Sequence, residues 1–360
     1  MTDIKFDFND IILVPAKITN ISSRKDVNIY DENGMLRIFT APMFDVVNEK
    51  NRKNYNDNKI YTIIPRKSKY TKEDVSAEFN NFIAYGLTDI KYLYLDNDMD
   101  IKDKHYALID VANGHMKSLI DIVRELKVKY GDKLVLMVGN IANPETYRVF
   151  NDIGIEFIRV GIGGGSVCST TVQTAVGYPM TSLLSEINEI KKEIGDYKTK
   201  VIADGGLHGY SDINVALGLG ADYIMSGGIF SKSLESSGQC YTDEVLRENG
   251  NQLEQNKDGM TKLSCDIALD IYSKGGIIYK LYRGMSTKSV QRELKRDTIR
   301  TSEGITKYNK VEYTLSGWVE NYIDYLTSTL SYLGYDDVTD FIGSAEYVFI
   351  TQQAFNRTNK

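Results

Sequence analysis

The stretch GIGGGSVCSTT, residues 161 to 171, places one cysteine behind a run of glycines and ahead of three hydroxyl side chains. A thiolate is a strong nucleophile near neutral pH, and a thiol beside backbone donors at the start of a helix is shifted toward that form. Cys168 therefore reads either as a nucleophile next to an anion site or as a small buried apolar residue, which is the commoner fate of a lone cysteine. The polar, glycine-rich setting argues against burial. Glycine pairs recur in ADGG (203 to 206) and SGG (226 to 228), and such loops let main-chain N–H groups close around a phosphate. Any one pair is equally a tight turn, but three together favour the anion site. Asp204 could accept bonds from ribose hydroxyls or simply belong to an Asp-Gly turn. Glu303, in RTSEGI, could cap a helix or act as a general acid/base. His115 and His208 read as satisfied core or surface residues, and Cys240 and Cys265 as incidental, because no spacing matches a metal site.

These residues are far apart in sequence, so a scaffold must gather them. Eight short apolar, β-branched or aromatic runs read as strands: RIFTAP (37–42), IYTII (60–64), KYLYLD (91–96), YALIDVANG (106–114), LVLMVGN (134–140), FIRVGIG (157–163), KVIADGG (200–206) and DYIMSGG (222–228). Amphipathic stretches such as MKSLIDIVRELKVKYG and TSLLSEINEIKKEIG lie between several of them. Apolar strands alternating with helices imply parallel strands covered by helices, and eight units imply a (β/α)8 TIM barrel, with a doubly wound sheet as the alternative. Only about ten residues separate the third run from the fourth, short for a parallel crossover, so that crossover lacks its helix or the strand count is off by one. Residues 231–282 read as a long polar excursion without a clear strand, leaving the active-site face after strand eight, and the C-terminal tail reads as helical. The whole, 1–360, is expected to be one barrel domain.

Composition narrows the function. The formal net charge of -6 offers no general attraction to nucleic acid or to an anionic membrane. No run of 18 apolar residues occurs, and MTDIKFDFND has neither a basic segment nor an apolar core, so a cytoplasmic location is expected. Three scattered cysteines do not describe a disulfide framework.

GIGGGSVCSTT followed by VGYP, then ADGG, the strand-eight glycine pair, YRGM and ITQQ, occur in the order found in the IMP dehydrogenase/GMP reductase family, which the chain resembles over nearly its whole length. It is more similar to the GMP reductase branch. No CBS-domain pair interrupts IIPRKSKYT, DVANGH resembles the reductase motif, and RTSEG and STLSYLG resemble RASEG and STCTYVG. Only 15 residues lie between GMS and Ser302, too few for the long flap that activates water in the dehydrogenase. The arginine of YRGM is the more dehydrogenase-like feature.

The resemblance implies NADPH-dependent reductive deamination of GMP to IMP through a covalent bond from Cys168 to purine C2, with Thr170 and Glu303 moving protons. It implies that Ser166, Asp204, Gly206, Gly227, Gly228, Gly284, Met285, Ser286 and Arg300 hold the nucleotide. Ser23, Arg24, Arg66, Asp110, Val111, Ala112, Thr301, Ser328, Thr329 and Ser331 would line the dinucleotide site, with Arg300 at its border. Carbonyls of Gly163, Gly165 and Cys168 would hold a monovalent cation, K+, and the assembly would be a homotetramer. The other readings are a CBS-less IMP dehydrogenase using NAD and a decayed purine-nucleotide-binding regulator. Gly164, Pro65, Phe44 and Thr171 depart from the family pattern and mark a divergent member, leaving a deoxynucleotide substrate or NADH open.

Overall fold

In the computed structural model, which describes residues 4–97, 99–248, 251–295 and 298–358, eight parallel strands form one sheet. They are β1 (Ile38–Thr40), β2 (Thr62–Ile64), β3 (Asn81–Tyr85), β4 (His105–Asp110), β5 (Leu134–Ile141), β6 (Phe157–Val160), β7 (Lys200–Asp204) and β8 (Tyr223–Ser226). Neighbours follow chain order from β2 to β8, β8 pairs with β1, and a parallel bridge from Phe39 to Tyr61 closes the circle. This is the (β/α)8 barrel. Covering helices include α1 (Arg52–Asp57), α2 (Lys117–Tyr130), α3 (Pro144–Ile153), α4 (Met180–Ile194), α5 (Tyr210–Gly218) and, after a long excursion, α7 (Leu315–Leu333), numbered to leave α6 for the excursion's helix, Cys265–Ser273. Asn143 caps α3, with Pro144 at its first turn and a left-handed Gly154 at its end, the usual punctuation of a helix.

Strand alternation decides what faces inward. At the amino ends the inward positions are aromatic: Phe39, Tyr61, Phe82, Tyr106, Phe157 and Tyr223 pack on one another, with Phe39 and Tyr61 stacked at 4.7 Å. The middle is aliphatic, with Ile63, Leu108, Met137, Ile202 and Met225. Two residues further along each strand, the same inward stripe reaches Asp110, Gly139, Arg159 and Asp204. The barrel is thus plugged below and polar above, and a reaction centre can form only at the carboxyl-end mouth.

Three sequence expectations need correction. The third strand is Asn81–Tyr85, whereas Lys91–Asp96 is a π-helical turn that buries Leu93 and Tyr94 on the outer layer. This relieves the short crossover, since 19 residues now separate β3 from β4. The excursion is not strandless. It carries β9 (Cys240–Thr242), β10 (Thr261–Lys262), β11 (Tyr279–Arg283) and β12 (Thr306–Lys310), in an antiparallel sheet of order β10-β9-β11-β12 with α6 against it. Cys240, Leu263, Ala268, Ile278 and Val311 form its own small core, so the ordered unit runs past 282 to Val311. Lastly, the tail is not wholly helical, because Tyr347–Phe349 pairs antiparallel with Ile11–Leu13. No described helix is long and apolar enough to cross a membrane.

Candidate active site

The inward stripe at the mouth is organised by Arg159, the third residue of the run FIRV. Its Nη1 donates to Asp110 at 2.7 Å, and its Nη2 and Nε donate to Asp204 Oδ2 at 2.7 and 3.2 Å. Burial opposes its charge, but the Asp204 and Asp110 carboxylates outweigh that and hold the guanidinium above its ordinary pKa. Asn140 Nδ2 adds a bond to Asp204 Oδ2 at 2.8 Å. Gly139 leaves the room: a Cβ there would lie 2.5 Å from the Arg159 Cβ. One oxygen of Asp204 is thereby committed to Arg159 and Asn140, while Oδ1 has no partner among the described residues.

The cysteine loop leaves β6 and packs against the loop after β7. A Cβ on Gly205 would lie 3.0 Å from the Gly165 nitrogen, and one on Gly164 would lie 3.3 Å from the Gly206 nitrogen. Cys168 is half-buried, and its Sγ donates to Thr170 Oγ1 at 3.2 Å. Thr170 Oγ1 donates in turn to Glu303 Oε2 at 2.7 Å. Thiol, hydroxyl and carboxylate form one hydrogen-bonded chain, the arrangement that lets a proton move between a nucleophile and an acid/base group. A helix does begin at Thr170, but it ends at Thr174.

Glu303 arrives from the excursion. β11 and β12 form a hairpin whose turn region is the segment 284–305, and this segment docks on the cysteine loop by main-chain bonds. Ser169 N donates to Glu303 O at 2.7 Å, Ile305 N to Val167 O at 3.0 Å, and Gly284 N to Ile305 O at 3.0 Å. Gly284 must be a glycine here, because its Cβ would sit 2.5 Å from the Val167 carbonyl oxygen. A Cβ on Gly304 would lie 2.9 Å from Ser286 Oγ, and one on Gly228 would lie 3.3 Å from Ser166 Oγ. A Cβ on Gly227 would meet the buried Tyr282 hydroxyl at 2.6 Å. Burial above all, then the Asp204 charge, push the Tyr282 phenol up, so it stays a neutral hydrogen-bonding group. Ser166, Gly206, Gly227, Gly228, Gly284 and Ser286 thus surround one mouth with Cys168, and Met285 lies between two of them.

Arg283 fastens this ribbon. Its Nε and Nη2 meet the two oxygens of Asp45 at 2.8 Å each, and its Nη1 reaches Glu293. The Asp45 bond, with Glu293 adding to it against burial, raises the Arg283 pKa. Gln291 Nε2 donates to the Ser286 and Arg300 carbonyls at 2.8 and 3.2 Å, and its Oε1 accepts from Arg300 N at 2.8 Å.

The dinucleotide-lining positions divide into two sets. Asp110, half-buried Val111 and exposed Ala112 sit at the mouth, and Arg300 and Thr301 are exposed on the ribbon turn. Arg66 leaves β2 with its Nη2 3.7 Å from Asp89. Ser23 instead caps the short turn Arg24–Asp26, which packs on α7, and Ser328, Thr329 and Ser331 lie near the far end of that helix. The helix starts beside the mouth, where Tyr313 donates to Ile229 O at 2.7 Å, so Ser328 is about 20 Å further along it at 1.5 Å per residue. A single chain does not bring these four to Cys168.

Among the remaining candidates, His115 Nε2 accepts from Ala142 N at 3.1 Å and is a structural tie between two loops. His208 is exposed, Cys240 is buried in the excursion core and Cys265 is exposed. Arg159, Asn140, Gln291 and Asp45 were not singled out from sequence, and Arg283 was noted only as the arginine of YRGM. A lone arginine inside an otherwise apolar run was the one available signal, since a strand interior tolerates such a charge only when it is paired.

A family model described as IMP dehydrogenase / GMP reductase domain matches residues 101–359. A GMP reductase of Caenorhabditis elegans is 26% identical, covering 97% of this chain and 93% of its own length. A GMP reductase of Vibrio campbellii (strain ATCC BAA-1116) is 26% identical over 98% of this chain and 97% of its own, and one of Onchocerca volvulus is 26% identical over 97% and 92%.

Proposed function

The chain belongs to the IMP dehydrogenase / GMP reductase family, and from that premise we propose that it is a GMP reductase, converting GMP, NADPH and protons to IMP, NADP+ and ammonium. The observation that carries this reading is the bonded chain from Cys168 Sγ through Thr170 Oγ1 to Glu303 Oε2, set beside three glycine loops.

In this reading the nucleotide phosphate lies among the main-chain groups of Ser166, Gly206, Gly227, Gly228 and Gly284 to Ser286, with Arg300 nearby, and a ribose hydroxyl donates to Asp204 Oδ1. Arg159 and Asn140 hold Asp204 by its other oxygen and so aim Oδ1 as an acceptor. Cys168 gives its proton toward Thr170 and Glu303 and forms a bond from sulfur to purine C2. The same pair returns a proton to the amino group on C2, which leaves as ammonia when the C2–N bond breaks. NADPH supplies the hydride that C2 then accepts. With the new C2–H bond in place, the C2–S bond breaks as the ring C2=N double bond is restored, and Cys168 departs as thiolate while IMP is released.

The residues present fit the dinucleotide. Ala112 is open at the mouth, and Arg24 and Arg300 are exposed with no ion-pair partner among the described residues, which suits phosphate groups. Ser23, Arg24, Ser328, Thr329 and Ser331 would join this site from a neighbouring copy in a homotetramer, with Arg66, Asp110, Val111 and Thr301 contributed beside Cys168. The carbonyls of Gly163, Gly165 and Cys168 would hold K+. No cluster of three or more His, Cys, Asp or Glu residues able to hold a metal occurs among the described residues, and a carbonyl-only loop suits a monovalent cation better than a divalent one.

The test is direct. With GMP and NADPH, absorbance at the reduced-cofactor band should fall as IMP and ammonium accumulate, and Cys168→Ala should abolish turnover while GMP still binds. A rise in absorbance with IMP and NAD would make the protein a dehydrogenase. Binding of purine monophosphate without turnover in either mixture would make it a regulator.

A further inference from the structure

Arg283 is the last residue of β11 and holds three segments at once. Its guanidinium grips Asp45 through both oxygens, and its own amide donates to Asp45 Oδ2 at 2.9 Å. Asp45 is 4% exposed and lies in the loop leaving β1, so this end of the clamp belongs to the barrel wall. The third arm reaches Glu293 at the end of the short helix Lys288–Glu293. That helix carries Gln291, which binds the Ser286 and Arg300 carbonyls.

From Arg283 to the thiol the path is almost entirely main chain. Gly284 bonds Ile305, Ile305 bonds Val167, and Glu303 O receives Ser169 N. Arg283 is also the register partner of Thr306, three residues from Glu303. Main-chain ladders have little slack, so a shift of the Arg283 anchor is passed to Glu303 rather than absorbed. A carboxylate that serves a hydroxyl must stay within hydrogen-bond reach of it, and a misplacement of about 1 Å can lower a rate by about a hundredfold.

We propose that Arg283, clamped to buried Asp45 and to Glu293, is a positioning residue that sets the distance from Glu303 to Thr170 and hence the proton transfer at Cys168. The proposal rests on the GMP reductase reading for its catalytic consequence, but the coupling of Arg283 to the thiol does not. Lysine would keep the charge and lose the two-pronged grip, because an ammonium cannot match both carboxylate oxygens with a planar fork.

The experiment compares Arg283→Lys, Glu303→Gln and the double variant in the full-length protein, in two assays. The first is kcat for GMP-dependent NADPH oxidation. The second is the rate of Cys168 alkylation by iodoacetamide, followed by peptide mass mapping because Cys265 is also exposed. Cooperative thermal unfolding near the wild-type temperature establishes that each variant is folded, and Asp45→Asn carries the same expectation where Arg283→Lys does not fold. Arg283→Lys should lower kcat by about 10- to 100-fold. The double variant should be no slower than Glu303→Gln, and its alkylation rate should match that of Glu303→Gln, because a residue acting through Glu303 has nothing left to act on. Wild-type turnover in Arg283→Lys, or a loss that multiplies that of Glu303→Gln, overturns the proposal. If the wild-type protein gives no turnover with GMP and NADPH, the function reading fails, and the alkylation cycle alone then decides. In that case an Arg283→Lys effect that is absent, or undiminished beside Glu303→Gln, overturns the proposal.

Discussion

Gly284→Ala tests whether close main-chain packing, rather than any side chain, holds the Cys168 sulfur in place. The new Cβ would sit 2.5 Å from Val167 O and 3.0 Å from the Gly304 Cα, both main-chain atoms that cannot rotate away. Comfortable contacts begin near about 3.5 Å, so one of the two strands must move by roughly 1 Å. Val167 O accepts Ile305 N at 3.0 Å and immediately precedes Cys168, so the displacement lengthens that bond and carries the sulfur with it. Overpacking of this kind costs about 1–3 kcal/mol, which a domain of about 5–15 kcal/mol total stability survives. A displacement of about 1 Å in the reacting group lowers kcat by about a hundredfold. Gly259→Ala is the control: no atom lies within 4 Å of its Cβ, it lies in the excursion, and its φ of +77° makes the substitution strained by about 1 kcal/mol. Urea unfolding and kcat for GMP-dependent NADPH oxidation, measured on both variants, separate the cases. The reasoning fails if Gly284→Ala keeps more than about half the wild-type kcat, or if Gly259→Ala loses as much.

Two further expectations concern stability. Arg159→Met leaves Asp110 and Asp204 facing one another with no counter-charge, so urea unfolding at pH 8 should show a loss of about 3–5 kcal/mol. A loss below about 1 kcal/mol would refute this account. Burial holds the His115 pKa below its ordinary value, and its bare Nε2 is the acceptor for Ala142 N. Below about pH 6.5 the unfolded chain then binds more protons at this site than the native state does. The stability His115 contributes is therefore present above that pH and is lost as pH falls toward its lowered native value. The urea midpoint should drop more steeply between pH 7.5 and 5.5 in the wild type than in His115→Gln, and parallel profiles would exclude the assignment.

Seven of the eight barrel strands were legible as short apolar runs ending in polar or glycine residues. The exception is instructive. KYLYLD alternates aromatic and aliphatic residues as a strand does, yet Tyr94 packs against Tyr85, Tyr130 and His105 as part of a helical turn. Periodicity over six residues cannot separate the two, whereas the crossover length could and did point to an error. Asn81–Tyr85 was missed because it opens on a polar pair of asparagines and holds one β-branched residue, so KYLYLD nearby stood out more. The excursion looked polar because its core is small and its strands are two to five residues long. At the site, Cys168, Glu303 and the glycine loops were singled out by their residue types and Thr170 by the family resemblance, and the structure brings them together. Arg159, Asn140 and Gln291 were not, because their roles come from long-range hydrogen bonds that no local pattern encodes. The packing of the Arg24–Asp26 turn on α7 was likewise beyond local pattern, since it joins segments about 300 residues apart in the chain.

Glu303 hangs on a hairpin that leaves the barrel after β8 and returns at Tyr313, whereas Asp110, Arg159 and Asp204 belong to the barrel wall itself. The scaffold therefore separates its inheritance into two parts. Sequence drift within the hairpin can shift Glu303 relative to Cys168 while the Asp110–Arg159–Asp204 cluster in the wall stays as it was.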